Sequence, residues 1–190
     1  MTLKEGDEVP NVIFKTRIRN DSNSDNPFDW KDITSNDIFQ NKRVVLFALP
    51  GAFTPICSAK HLPEYDEDYL KILSYGIDEI YCLSVNDAFV MRQWGLSLGL
   101  EEDPTPYGVG FKKVKFLPDG ACKFTRGMGM SNTWTSERGF GERSWRYSMV
   151  VNNKVIEKMF IEEPRIENSG PDPFEVSDSK TMLNFLKNQN

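Results

Sequence analysis

The chain has 190 residues, 39% hydrophobic and 27% charged, the proportions of a soluble globular protein. This is enough chain for one good core and short for two, so a single domain over residues 1–190 is expected. A net charge of −5 and scattered Lys and Arg argue against nucleic acid as a partner, no apolar run approaches the ~20 residues of a membrane span, and three cysteines without a Cys-x-x-Cys pair exclude a disulfide-stapled scaffold or a zinc site of that type. Nothing in the composition calls for a metal or other cofactor. The opening residues do not resemble a secretory signal, and a lone reactive thiol suits a reducing compartment. The expected location is the cytoplasm, or an organelle lumen or matrix after removal of a targeting segment, and not the exterior.

In chain order, an early strand is expected near Val12 to Ile18, then a polar loop or hairpin end from Arg19 to Pro27, then an extended stretch from Phe28 to Ile33. Arg43 to Leu49 is a nearly continuous apolar run, the signature of a buried strand. Pro50 and Gly51 end it, and Thr54-Pro55 supplies a cap hydroxyl followed by a proline suited to the first helical position. Pro63 should kink or restart the helix, which continues from Glu64 to Leu73 with Tyr69, Leu70 and Leu73 toward the core. A second strand is expected from Glu79 to Val85, and Asn86-Asp87 should cap a helix to about Leu98. After a loop from Glu101 to Gly110, a strand is expected from Val114 to Leu117, ended by the Pro118-Asp119-Gly120 turn. Gly127 to Gly141 reads as irregular. Strands from Trp145 to Val151 and Lys154 to Ile161, joined at Asn152-Asn153, and a last helix from Asp178 to Lys187 complete the chain. Two strand-helix-strand units imply parallel neighbours and the late hairpin adds antiparallel ones, which gives an α/β fold with a mixed central sheet flanked by helices.

Cys57 stands in the first turn of the expected helix, just past the strand from Arg43 to Leu49. Unpaired N–H groups and the positive end of the helix dipole favour a thiolate there. A buried core cysteine is the alternative, but such a residue sits more naturally within a strand. His61 lies four residues on and would share a helix face with Cys57, so a Cys-His nucleophile pair is a second reading. It lacks an orienting third residue, and His61→Ala discriminates the two, since a hydrolase would lose nearly all activity. Cys82 falls inside a strand, where a buried thiol acts as a small hydrophobe. Cys122 follows a turn and reads as incidental. Arg146 could be a surface arginine on its strand.

Pro50, Thr54 and Cys57 form a Pro-x-x-x-Thr-x-x-Cys pattern, and the fuller string Pro-Gly-Ala-Phe-Thr-Pro-x-Cys-Ser resembles that of the type II, peroxiredoxin V-like, branch of the peroxiredoxins. Ser84-Val-Asn-Asp-Ala-Phe-Val-Met91 and Arg146-Tyr-Ser-Met-Val-Val151 are similar too, so the resemblance spans most of the chain. It implies a thioredoxin-like fold with a peroxiredoxin-type N-terminal extension and a thiol peroxidase acting on hydrogen peroxide and alkyl hydroperoxides. In that reading Cys57 is the nucleophile, Thr54 bonds the peroxide, Pro50 shields the site and Arg146 lies over the thiol. Arg143 is a second candidate for such an arginine, and His61 has a supporting place. Some family members resolve with a cysteine at the strand position that Cys82 occupies, with thioredoxin as reductant. Others place the resolver in the loop before the last helix, which here, from Ser169 to Ser177, holds none. Regeneration of a single cysteine by glutathione or glutaredoxin is therefore the expectation, in a homodimer. A redox-sensing or chaperone-like binding module is the reading from another class.

Overall fold

Alternation of side chains to opposite faces governs how this chain folds. In the computed structural model, which describes residues 1–22, 25–103, 110–135, 138–168 and 170–189, the elements in chain order are β1 (Ile13–Arg19), β2 (Phe28–Thr34), α1 (Ser35–Phe39), β3 (Arg43–Leu49), a π-helical turn (Cys57–His61), α2 (Leu62–Glu67), α3 (Tyr69–Leu73), β4 (Glu79–Ser84) and α4 (Ala88–Ser97). The second half holds β5 (Lys115–Pro118), α5 (Lys123–Gly127), β6 (Ser131–Trp134), β7 (Gly141–Ser144), β8 (Tyr147–Asn152), β9 (Val155–Ile161) and α6 (Ser179–Lys187). The main sheet has the order β5-β4-β3-β8-β9. β3, β4 and β5 run parallel, whereas β8 pairs antiparallel with both β3 and β9. The mixed sheet expected from the element order is present.

β3 is central and covered on both sides, which is why it reads as an unbroken apolar run. Val44, Leu46 and Ala48 enter one core with Phe14, Phe39, Phe124 and Trp145, while Val45, Phe47 and Leu49 enter the other with Tyr65, Ile72, Trp94 and Met182. Cys57 and Cys82 both belong to the second core. β1 and β2 form an antiparallel hairpin ahead of the sheet, an N-terminal extension that closes one core with Phe14 and Ile33.

Several boundaries move for local reasons. The expected helix from Glu64 to Leu73 breaks at Asp68 into α2 and α3. Tyr69 remains at the core and Leu73 is half-buried, but Ile72 takes the place expected for Leu70, which is 73% exposed. The late hairpin turns at Asn153-Lys154 instead of Asn152-Asn153: these two residues have φ of 46° and 73°, the pair of positive values a tight hairpin requires, and Asn152 stays paired with Val155. α1, opened by a reciprocal capping box between Thr34 and Asp37, and α5 were not expected. Within Gly127–Gly141, expected to be irregular, β6 pairs with β7, and Trp134 stacks on Trp145 at 5.7 Å. Of the segments expected as loops, residues 23–24, 104–109 and 169 lie outside the described residues, as do 136–137.

Gly95 of α4 accepts the ring of Phe111 so closely that an added Cβ would lie 2.2 Å from Cζ. Gly95→Ala is therefore expected to lower stability: overpacking costs about 1–3 kcal/mol, offset by about 1 kcal/mol from helix propensity. Urea unfolding checks this, and a stabilised variant would show that Phe111 yields freely.

Candidate active site

The site forms where β3 stops. Pro50 and Gly51 turn the chain out of the sheet, and Phe53 takes a left-handed φ of 64° before the helix begins at Pro55. Thr54 stands at the cap position, but its hydroxyl bonds backward, donating to the Gly51 carbonyl at 2.7 Å, not forward over the first turn as expected of a cap. That commits the hydroxyl proton and leaves oxygen lone pairs to accept another hydrogen. The loop is pinned from β4–α4 by Asn86, whose Oδ1 accepts from the Ala52 amide at 3.0 Å and the Ser84 hydroxyl at 2.7 Å. In the sequence Asn86 reads only as part of a helix start.

Cys57 begins the π-helical turn and is buried. The wider turn closes through the Leu62 amide onto the Cys57 carbonyl, immediately before Pro63, which has no N–H to continue the ladder. Trp94 Nε1 donates to the next hydroxyl, Ser58 Oγ, at 2.9 Å, and fastens this turn to α4.

Arg146 comes from the strand beside β3: β8 pairs antiparallel with β3, Tyr147 opposite Ala48, which brings the preceding residue to the end of β3. It stands just before β8, not within a strand from Trp145, and it is buried, contrary to the surface alternative. Its Nη1 lies 3.5 Å from Cys57 Sγ and 3.1 Å from His61 Nδ1, its Nη2 donates to Asp172 Oδ1 at 2.6 Å, and its Cζ is 5.7 Å from the Phe174 ring centre. Burial works against the charge, but Cys57 and Asp172 more than offset it and raise the guanidinium pKa. A fixed cation at a sulfur stabilises negative charge there.

His61 is fully enclosed. Nε2 donates to the Ser177 carbonyl at 3.2 Å, so Nδ1 is the acceptor facing Arg146. With both ring nitrogens so engaged, neither takes a proton from Cys57, and a Cys-His hydrolase pair is not formed. Burial and then the Arg146 charge push the His61 pKa well below its ordinary value, with the Ser177 carbonyl opposing. An unfolded chain gains this proton near pH 6.5 whereas the folded one does not. The stabilisation is thus complete above about pH 6.5 and is lost as pH falls below it. Between pH 7 and 5, His61→Gln should lose unfolding free energy less steeply than the wild type; parallel slopes would remove His61 as the cause.

Arg143, on β7, does not reach Cys57 in the same way. Its Nε donates to the Phe140 carbonyl at 3.0 Å and Nη1 to the Val85 carbonyl at 3.4 Å, beside Gly51, and burial lowers its pKa. Cys82, on β4, is held protonated chiefly by burial, then by the charge at Cys57, with Arg146 opposing. Cys122 is similarly pushed up to about 12 by burial and by Glu142.

A loop whose sequence shows only that it lacks cysteine completes the site. Asp172, Phe174 and Ser177 all lie on it, and buried Glu162, just past β9, holds it. Glu162 Oε1 accepts from the amides of Glu175, Val176 and Ser177 at 2.8–2.9 Å and from Ser177 Oγ at 2.7 Å. A carboxylate that accepts from consecutive amides leaves no hydropathy signal. Among the described residues no group of three His, Cys, Asp or Glu side chains could hold a metal ion.

A thiol at the start of a helix, beyond the central strand of such a mixed sheet and under a buried arginine, defines a thioredoxin-fold thiol protein. The Redoxin family profile matches residues 4–183. The chain is 53% identical to Peroxiredoxin sll1621 of Synechocystis over 95% of its own length and 90% of the relative's, and 46% identical to hybrid peroxiredoxin hyPrx5 of Haemophilus influenzae over 100% and 68%. Among solved structures, the Plasmodium falciparum antioxidant protein, a 1-Cys peroxiredoxin, superposes with a TM-score of 0.84 at 34% identity over 97% and 99% of the two chains. The chain belongs to the redoxin family and, within it, to the peroxiredoxins of the type V-like group. It is a thiol peroxidase.

Proposed function

We propose that this peroxiredoxin reduces hydrogen peroxide and small alkyl hydroperoxides through Cys57 and is regenerated as a single-cysteine enzyme by glutathione or a glutaredoxin. The observation that carries the site assignment is the 3.5 Å approach of Arg146 Nη1 to Cys57 Sγ. The Cys57 thiolate attacks one peroxide oxygen and the O–O bond breaks. Sulfur is oxidised to a sulfenic acid, and the other oxygen leaves as water or an alcohol after taking a proton. Arg146 stabilises the charge as it moves from sulfur to the leaving oxygen, and the Thr54 hydroxyl oxygen, its own proton committed to Gly51, accepts a hydrogen bond from the peroxide O–H and so orients it. Buried Pro50 keeps water from the sulfur.

A glutathione thiolate then attacks the sulfur of Cys57–SOH, hydroxide leaves and is protonated to water, and a mixed disulfide remains; a second thiolate takes the glutathione away and restores Cys57. The single-cysteine reading is favoured because burial keeps Cys82 protonated, and attack on sulfur requires a thiolate. The competing reading keeps Cys82 as resolver, with thioredoxin as reductant, since both sulfurs belong to one core. Either route requires the turn at Cys57 to open, because its sulfur is buried. Homodimer formation is part of the proposal on family grounds.

Intact mass after one equivalent of hydrogen peroxide, with and without glutathione, separates the two. Wild type and Cys82→Ser are both expected to gain one glutathione on Cys57. Loss of two hydrogens in wild type alone would make Cys82 the resolver.

A further inference from the structure

We infer that the cleft between the β1–β2 hairpin and α4 is a binding site for a small planar aromatic anion, a carboxylate or sulfonate, anchored by Arg17. The cavity measures about 350 Å³ and includes neither Cys57 nor Arg146. That volume is in the range of small-molecule sites, about 300–1,000 Å³. Phe111 and Phe116, whose rings meet at 4.8 Å, contribute an apolar floor, and half-exposed Phe89 stands at the rim.

Charge decides which ligand such a cleft would take. Three arginines line it, Arg17, Arg19 and Arg92. Arg92 is neutralised by Glu102 through two bonds of 2.6 and 3.0 Å, and Arg19 by Asp21 at 2.7 Å. Arg17 Nη2 instead donates to two neutral acceptors, Asn26 Oδ1 at 3.0 Å and the Phe28 carbonyl at 2.9 Å, and its Nε is buried without a partner. Of these three it is the one with no carboxylate partner among the described residues. The guanidinium is also fixed before any ligand arrives, with Cζ 5.2 Å from the Phe28 ring centre, 4.7 Å from Phe89 and 5.8 Å from Trp30. A held cation with uncompensated charge above aromatic walls suits a ligand with one negative group and a flat apolar body. A neutral arene would leave that charge unanswered, and a flexible polyanion would meet Glu102 and Asp103 at the same cleft.

Isothermal titration with 2-naphthoate as probe tests this on the full chain. Wild type is expected to bind one equivalent, and the neutral analogue 2-naphthalenemethanol about 10- to 100-fold more weakly, the factor of one charge-assisted hydrogen bond. Arg17→Met should lose affinity by the same factor, whereas Arg146→Met should retain it. Equal binding of the neutral analogue, loss of binding in Arg146→Met with retention in Arg17→Met, or no binding by wild type would each overturn the assignment. The analogue comparison needs no variant, so a folding defect in Arg17→Met leaves the test intact.

Discussion

Arg146→Ala is expected to slow oxidation of Cys57 by peroxide about 10²–10³-fold, the usual consequence of removing one fixed donor from developing charge. The expectation is at the upper end because one guanidinium makes three contacts, to Cys57, His61 and Asp172, from two nitrogens. Lysine cannot reproduce them: a single ammonium on a flexible stem has no planar fork, so Arg146→Lys should recover only part of the loss. Stopped-flow tryptophan fluorescence is the natural readout, since Trp94 is bonded to Ser58, the residue after Cys57. Wild-type kinetics in folded Arg146→Ala would remove this residue from the reaction.

Glu162→Ala is expected to have the largest effect on stability. The substitution strips the acceptor from three consecutive amides and from the Ser177 hydroxyl in one enclosed place. Each buried donor left unpaired costs about 1–3 kcal/mol. Water entering the gap will recover some of this, so a net loss of at least about 3 kcal/mol is expected, or a fall in Tm of about 6–12 °C for a chain of this size. Activity should fall with it, because the loop freed by the substitution carries Asp172 to Arg146 and the Ser177 carbonyl to His61 and Tyr65. Thermal unfolding and peroxide kinetics on the same preparation check both parts. A Tm within about 2 °C of wild type, with unchanged kinetics, would mean the loop holds itself.

Much of this protein is local, and what is local was legible. Burial on both faces makes β3 an unbroken apolar run, so its span was readable to the residue, and the turn chemistry after it located Cys57 beyond the strand. Asp87 and Asp178 cap α4 and α6 where their short side chains precede helical patterns. The split at Asp68, the exposed Leu70 and the hairpin β6–β7 were not readable. Each depends on what lies opposite: Ile72 filling the core place, or Trp134 meeting Trp145.

The site divides in the same way. By itself the sequence determined the position of the candidate nucleophile Cys57 and of its neighbours Pro50 and Thr54, and through the strings around them the family, because these residues lie within one strand-to-helix turn and their spacing is their geometry. Only the tertiary structure decided that Arg146 turns inward, 89 positions from Cys57 in the chain. It also decided that His61 is an acceptor to that arginine instead of a base for the thiol, and that Asp172 and Glu162 hold the arrangement from the far end of the chain. Charges can be paired in low dielectric only by groups that folding brings within about 4 Å, and hydropathy along a chain carries no record of those meetings.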